Sequence, residues 1–496
     1  MNRFFTLLIA FLFLSCGIER TKSEEIKVHA DSTLIRGQID NYNRLDSILE
    51  INFYVNDLLD GQLEYKTKID SLGKFEIKFP INRQQDIGVY YNQWINLIVS
   101  GGDEVELKLN AQDNTRQLAY KSLTIKGGSE KTNRQFLEYI VGDPLNGSSY
   151  FDKIQSLPAS EFIKFHDSIF RIKNDYIIKF HKNNDVTDLL NNWIFVDKFY
   201  GRAEKVLGYK LYLQMFQKTA EISNIPDSFY DIIDSLPRLN EDHMINSDLS
   251  NSFAGYYSSY FSNEIRKSNQ GIETKNLDSL IIRSIINQNK ENSLLAQLVV
   301  NEKLKNAFEN NDLAYYDNNK ELFLELFAGT IFESRLNEKK IAIKQLLENP
   351  ILPEKTSLLT FDTSDPDKYL DEIISKANGK VIYIDNWATW CAPCKSEFKT
   401  GTPELKQKFG DSVEYVYLCY QSKKELWKPA ISEYKVEGKH YFIEKGEGTS
   451  LKKQFDLKGY PTYVIIDTKG EIVKSGFEFR PSIPETTKIL SKLVAN

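Results

Sequence analysis

The chain has 496 residues, 41% of them hydrophobic, a formal net charge of −6 and four cysteines. That length suggests about three domains with real cores. The slight acidity, with no Lys/Arg cluster interleaved with aromatics, excludes a case for nucleic-acid binding. The five histidines, His29, His166, His181, His243 and His440, never cluster at metal-ligand spacing.

At the N-terminus, Arg3 precedes an apolar run from Phe4 to Leu14 and then Ser15-Cys16-Gly17. The run is too short for a mature membrane-spanning helix, and the small residue before the cysteine suits a processing site. The segment resembles a bacterial lipobox. The resemblance implies a signal peptide over residues 1–16 and lipidation of Cys16, whose acyl chains would anchor the mature protein at about 0.8 kcal/mol per buried CH₂. An ordinary cleaved secretory signal is the other reading, and both export the chain. The acidic Glu24-Glu25 reads as a solvated tether. No later apolar run is long enough to span a bilayer.

Residues 26–128 show short β-like runs: Leu34–Ile39, Ile48–Tyr54, Phe75–Phe79, Ile95–Val99, Val105–Leu109 and Ser122–Ile125. Alternation such as Phe75-Glu76-Ile77-Lys78-Phe79 turns one apolar face inward, and Asp70–Lys74 and Gly101-Gly102-Asp103 suit turns. An antiparallel β-sandwich is expected. Residues 129–350 then become helical. Phe162, Phe165, Ile169 and Ile172 fall at helical steps, as do Leu294, Leu295, Leu298 and Val299. Tyr256, Tyr257, Tyr260 and Phe261 suit a core or a binding groove, with core the commoner outcome of such stripes. Pro350 and Pro353 mark a boundary.

From residue 356 to 496 the order is that of a small α/β sheet domain. A helix over 366–376 leads into a strand at Val381-Ile382-Tyr383-Ile384, and Trp390-Cys391-Ala392-Pro393-Cys394 opens a helix expected to reach Phe409. A strand at Val413, a helix at 424–434, a strand at 440–443, a hairpin of 463–467 with 471–474 and a helix at 483–493 follow. Cys419 sits in the Val413 strand, where a free cysteine behaves as a small hydrophobe.

A Cys-X-X-Cys at a helix N-terminus points to redox chemistry, because unpaired N–H groups and the helix dipole favour a thiolate. A zinc half-site would need a second Cys or His pair, and a purely structural disulfide closing so short a loop restrains little unfolded-state entropy. Asp385-Asn386-Trp387-Ala388-Thr389-Trp390-Cys391-Ala392-Pro393-Cys394 and the later Gly459-Tyr460-Pro461-Thr462 resemble the thioredoxin fold, and within it the TlpA/ResA-like exported thiol-disulfide oxidoreductases. The 26–128 zone, through Asp70–Phe79 and the Gly101-Gly102-Asp103 turn, resembles the small β-domain that often precedes thioredoxin modules in exported bacterial lipoproteins.

The resemblance implies a set of roles. Cys391 is the attacking thiolate and Cys394 the resolving thiol. Pro461 is a cis-proline whose loop pairs with a substrate backbone. Asp385 is a buried carboxylate taking a proton from Cys394, and Glu397 tunes the pair or is simply an exposed first-turn Glu. Trp390, Pro393, Tyr460 and Thr462 line the substrate face. Asn386 stands where the family usually has an aromatic residue.

The Ala-Pro dipeptide, lacking a histidine, resembles reducing members and implies a reductase or reshuffling role. Implied partners are disulfide-containing exported proteins and a membrane electron donor, in a periplasm-facing cell-envelope location, with no cofactor. A peroxidase would need a Thr-X-X-Cys-like spacing, whereas Thr389 is two residues before Cys391. An envelope-binding or scaffold lipoprotein with an accessory redox domain is the competing class.

Overall fold

The structure is a computed structural model and describes residues 31–43, 48–58, 60–145, 157–215, 225–446 and 448–495. The signal segment, Cys16, Glu24 and Glu25 lie outside them. Among the described residues the fold is mixed α/β, and the chain divides into two compact units. One runs to Glu302 and takes in Glu321–Glu333; the other comprises Lys303–Lys320 and Ser334 onwards.

The first unit begins with β1 (Asp31–Asp40), β2 (Glu50–Asp57), β3 (Gly61–Lys68), β4 (Lys74–Ile81), β5 (Gln85–Tyr91), β6 (Gln93–Val99), β7 (Glu104–Asn110) and β8 (Thr124–Gly127). They form two four-stranded sheets, β4-β1-β7-β8 and β3-β2-β5-β6. β1 is antiparallel to β4 but parallel to β7, so the first sheet is mixed where an antiparallel one was expected. Inward residues of both sheets, among them Ile35, Phe53, Phe79, Leu97 and Val105, share one hydrophobic cluster, and Phe53 meets Phe79 across the sheets at 5.9 Å.

Two strands escape the sequence reading. β3 has no fully buried residue because it is a sheet edge, and β5 starts with the buried polar pair Gln85 and Asp86. Edge strand β6 is closed by the helix Glu130–Gly142: the Ile98 N–H donates to Asn133 Oδ1 at 2.7 Å, and Asn133 Nδ2 donates to the Ile98 carbonyl at 2.8 Å. This side chain imitates a neighbouring strand and removes an exposed edge.

The central region is helical, with long helices at Ala159–Asn183 and Asp188–Met215. On the first of these Phe162 is buried but Ile172 is exposed; His166, Ile177 and Phe180 complete the inward stripe. Leu294, Leu295, Leu298 and Val299 are all buried, and Tyr257 is core. Buried Arg83 donates to the carbonyls of Asn56 and Met244 and to Ser250 Oγ, so sheets and helices form one folded body.

The second unit holds the sheet β14-β13-β10-β11-β12-β9, built from β9 (Thr356–Leu359), β10 (Val381–Trp387), β11 (Val413–Cys419), β12 (Gly438–Phe442), β13 (Thr462–Ile466) and β14 (Ile472–Gly476). Parallel neighbours β11 and antiparallel β13 flank β10, all seven residues of which are buried. Each large apolar side chain so buried contributes about 1.5–3 kcal/mol. The expected helix from the dithiol to Phe409 is two helices, Ala392–Lys399 and Gly401–Phe409, with Thr400 at φ −123° between them. Pro403 explains the break: it has no N–H for the carbonyl four residues back, and its ring collides there. β9 and the helix Thr449–Gln454 have no counterpart in the sequence reading.

Candidate functional site

The end of β10 delivers the chain directly into the short helix Ala392–Lys399. Cys391 is its N-cap and Pro393 lies in its first turn, where a missing N–H costs nothing. Cys391 and Cys394 are joined by a disulfide with their Cα atoms 5.3 Å apart. Both are buried, at 3% and 0% exposure. The Cys394 N–H points at Cys391 Sγ at 3.2 Å, a donor already aimed at the atom that would carry negative charge after reduction.

Asp385, on β10, is 1% exposed, and neither of its carboxylate oxygens has a hydrogen-bond partner among the described residues. Burial first, and the charge of Glu397 second, raise its pKa well above the ordinary carboxylate range. Asn386 does not spoil this burial. It is itself fully buried and donates from Nδ2 to the Thr462 carbonyl at 2.9 Å, tying β10 to β13 beside the acid. The neighbouring Trp387 is fully buried and meets Phe398 edge-to-face at 5.2 Å.

Glu397 is not an exposed first-turn residue. It is 7% exposed and accepts from the Ser482 N–H at 3.0 Å and from the Ser482 hydroxyl at 2.7 Å. The Tyr460–Pro461 peptide is cis. Thr462, next in the chain, is buried and its hydroxyl donates to the Gly459 carbonyl at 2.8 Å, fixing that turn.

Trp390, at 53% exposure, and Pro393 are the exposed members of the constellation. Trp390 Nε1 donates to the Gln421 carbonyl at 2.8 Å, and its ring stands edge-to-face on Tyr460 at 5.8 Å. Tyr460 in turn stacks on Tyr420 at 5.7 Å. The ring next to Cys391 in the chain thus meets a ring from the Pro461 loop. Cys419 is fully buried on β11 and its thiol is pushed up to about 12 by burial, so it stays protonated and inert.

Three contributors escaped the sequence reading. Ser482 is one, and Ser422, whose Oγ accepts from the Thr389 N–H at 2.9 Å, is another. Lys395 is the third: it is buried, its charge is disfavoured by desolvation, and its ammonium donates to the Glu309 carbonyl at 2.8 Å and Asn310 Oδ1 at 3.2 Å. Only Lys395, a lysine directly after a buried cysteine, carried a local signal. In the first unit a cavity of about 320 Å³ collects Lys173, Arg202, Lys205, Asp143, Asp197 and Glu204. These charges largely neutralise one another, Lys173 with Asp143 and Asp197, and Lys205 with Glu204.

Residues 378–472 match the thioredoxin-like family model. Two curated relatives from Bacillus subtilis strain 168 align with this region. The thiol-disulfide oxidoreductase ResA is 26% identical over 101 residues, 20% of this chain and 55% of ResA. The thioredoxin-like protein YneN is 28% identical over 102 residues, 20% of this chain and 57% of YneN. The chain thus spans little more than half the length of the curated relatives it matches. Among solved structures, the thioredoxin domain of a thiol-disulfide oxidoreductase from Bacteroides vulgatus is 22% identical, covering 24% of this chain and 83% of that one, with a TM-score of 0.22. The C-terminal part of the chain is a thioredoxin-like domain homologous to thiol-disulfide oxidoreductases.

Proposed function

We propose that the protein is a thiol-disulfide oxidoreductase that reduces or reshuffles disulfides of exported proteins through Cys391 and Cys394. The observation that carries this reading is the Cys391–Cys394 disulfide at a helix N-terminus, backed by the buried Asp385, unpartnered among the described residues. In the reduced enzyme the Cys391 thiolate attacks a substrate disulfide, forming a mixed disulfide and expelling one substrate thiolate. Asp385 then takes the proton from the Cys394 thiol. The Cys394 thiolate attacks Cys391 Sγ, the second substrate thiolate leaves, and the enzyme disulfide closes, so two electrons pass to the substrate. An external dithiol must return them.

Glu397 acts on this centre by its charge. The exposed Trp390 and the Tyr460-Pro461-Thr462 loop form the face that receives the substrate, with Pro393 setting the helix start. Lipidation at Cys16 would hold the protein on a periplasm-facing membrane surface of the cell envelope, within reach of a membrane electron donor. We read the two facing N-terminal sheets as the β-sandwich, 26–128, with 129–350 as a helical domain and 356–496 as the redox domain. Among the described residues no helix is long and apolar enough to cross a membrane.

The test is a redox titration of the Cys391/Cys394 pair in glutathione or dithiothreitol buffers, followed by the fluorescence of Trp387 and Trp390. A midpoint near about −270 mV or below is expected for an electron donor, whereas one near about −120 mV would make the protein a disulfide donor.

A further inference from the structure

The residue that holds Glu397 lies 85 positions further along the chain, in the turn before the last helix, Pro484–Val494. Ser482 places two donors on one carboxylate: its N–H reaches Oε2 at 3.0 Å and its hydroxyl reaches Oε1 at 2.7 Å. Both Glu397 oxygens are therefore engaged, and the side chain has one orientation. Two further features build this contact. Gly401 leaves room for it, since a Cβ there would come within 2.5 Å of both Glu397 Oε2 and the Ser482 nitrogen. Just upstream of the turn, the Tyr383 hydroxyl donates to the Phe479 carbonyl at 2.7 Å, fastening this loop to β10 two residues before Asp385.

We propose that Ser482 is a positioning residue of the redox centre: its two donors fix the Glu397 carboxylate one turn beyond Cys394, so that the proton exchanged between Cys394 and Asp385 moves beside a fixed negative charge. This deepens the oxidoreductase reading and rests on it for the proton's role. The charge of Glu397 reaches Asp385 and favours its protonated form. Among the described residues the phenols of Tyr383, Tyr417 and Tyr463 also interact with Asp385 and are kept neutral by burial, and Arg480 acts on Tyr463. Glu397 is thus the fixed charge to which Asp385 responds. Holding that carboxylate in place holds the proton on Asp385 to higher pH, available to return to a sulfur. Ser482 is itself solvent-exposed, so the clamp closes from the surface over a buried acid.

The experiment is a carboxyl-carbon NMR titration of Asp385 in the oxidised full-length protein, assigned by its disappearance in Asp385→Asn. Ser482→Ala should move the Asp385 midpoint to lower pH, Ser482→Thr should restore it, and Glu397→Gln should move it in the same direction and further. Ser482→Ala combined with Glu397→Gln should shift it no more than Glu397→Gln alone, because both act through one carboxylate. A Ser482→Ala protein that melts lower but titrates as wild type would reduce Ser482 to a loop fastening and overturn the proposal. So would additive shifts in the double variant. No substrate enters the titration, so loss of the oxidoreductase reading would show separately, as absent disulfide exchange with a normal Asp385 coupling.

Discussion

Asp385 is the residue where structure and chemistry conflict most, because a carboxylate with both oxygens buried and without a partner among the described residues destabilises the fold whenever it ionises. The sign of the resulting pH dependence follows from the raised pKa. An unfolded Asp titrates near about 3.9, and the folded protein binds this proton more tightly, so the stability it confers is complete below about pH 3.9 and is lost as pH rises through the folded value. Asp385→Asn keeps the shape and cannot ionise. Its thermal midpoint should match wild type near about pH 4 and exceed it at about pH 8 and above; equal midpoints at both would mean that Asp385 is not buried in its charged form. The same variant should slow release of the mixed disulfide by about 10²-fold, the usual scale of a lost general base, read by quenched-flow trapping.

Among the elements, the short helix Ala392–Lys399 matters most, and it is held at several points. Thr400 ends it, Ser482 grips Glu397 on one side, and Lys395 reaches across to Glu309 and Asn310. Lys395 is only 8% exposed, so its two acceptors replace the water it has lost. Lys395→Met keeps the apolar stem but strands the Glu309 carbonyl and Asn310 Oδ1. The full-length protein should lose about 1–3 kcal/mol in a denaturant melt of this unit; no loss would mean that solvent satisfies those groups. The helix start was legible because an apolar strand, a cysteine N-cap and a first-turn proline are neighbours in the chain. Pro403 was a local signal for the helix's end that the helical spacing masked, whereas the need for Gly401 acts through close packing against Glu397 and Ser482 that no local pattern reports.

For the molecule as a whole, residues Lys303–Lys320 belong to the same compact unit as the thioredoxin-like domain, and besides serving Lys395 they send Asn311 Nδ2 to Glu433 Oε2 at 3.1 Å. Lys395→Met should therefore be close to neutral in an isolated 356–496 fragment, which has already lost the acceptors, while remaining costly in the full chain. Equal costs in both, by paired melts, would show that Lys395 is stabilised by something within 356–496. The sequence by itself determined the dithiol, the strand that feeds it, the helical middle and most N-terminal strands, since each is written in contacts over a few residues: alternation, helical spacing, turn residues and an N-cap; the Pro461 loop was implied only by family resemblance. β3 was legible, since Leu63-Glu64-Tyr65-Lys66-Thr67 alternates along it, whereas β5 opens on the buried polar pair Gln85 and Asp86, and the parallel pairing of β1 with β7 depends on partners far along the chain. Tertiary structure alone decided that the Asp385 oxygens meet no hydrogen-bond partner among the described residues, that Glu397 faces Ser482 and that Lys395 faces Asn310. Those pairings join residues roughly 85 positions apart, and which distant donor meets which acceptor depends on how sheets and helices pack, a property no local pattern encodes.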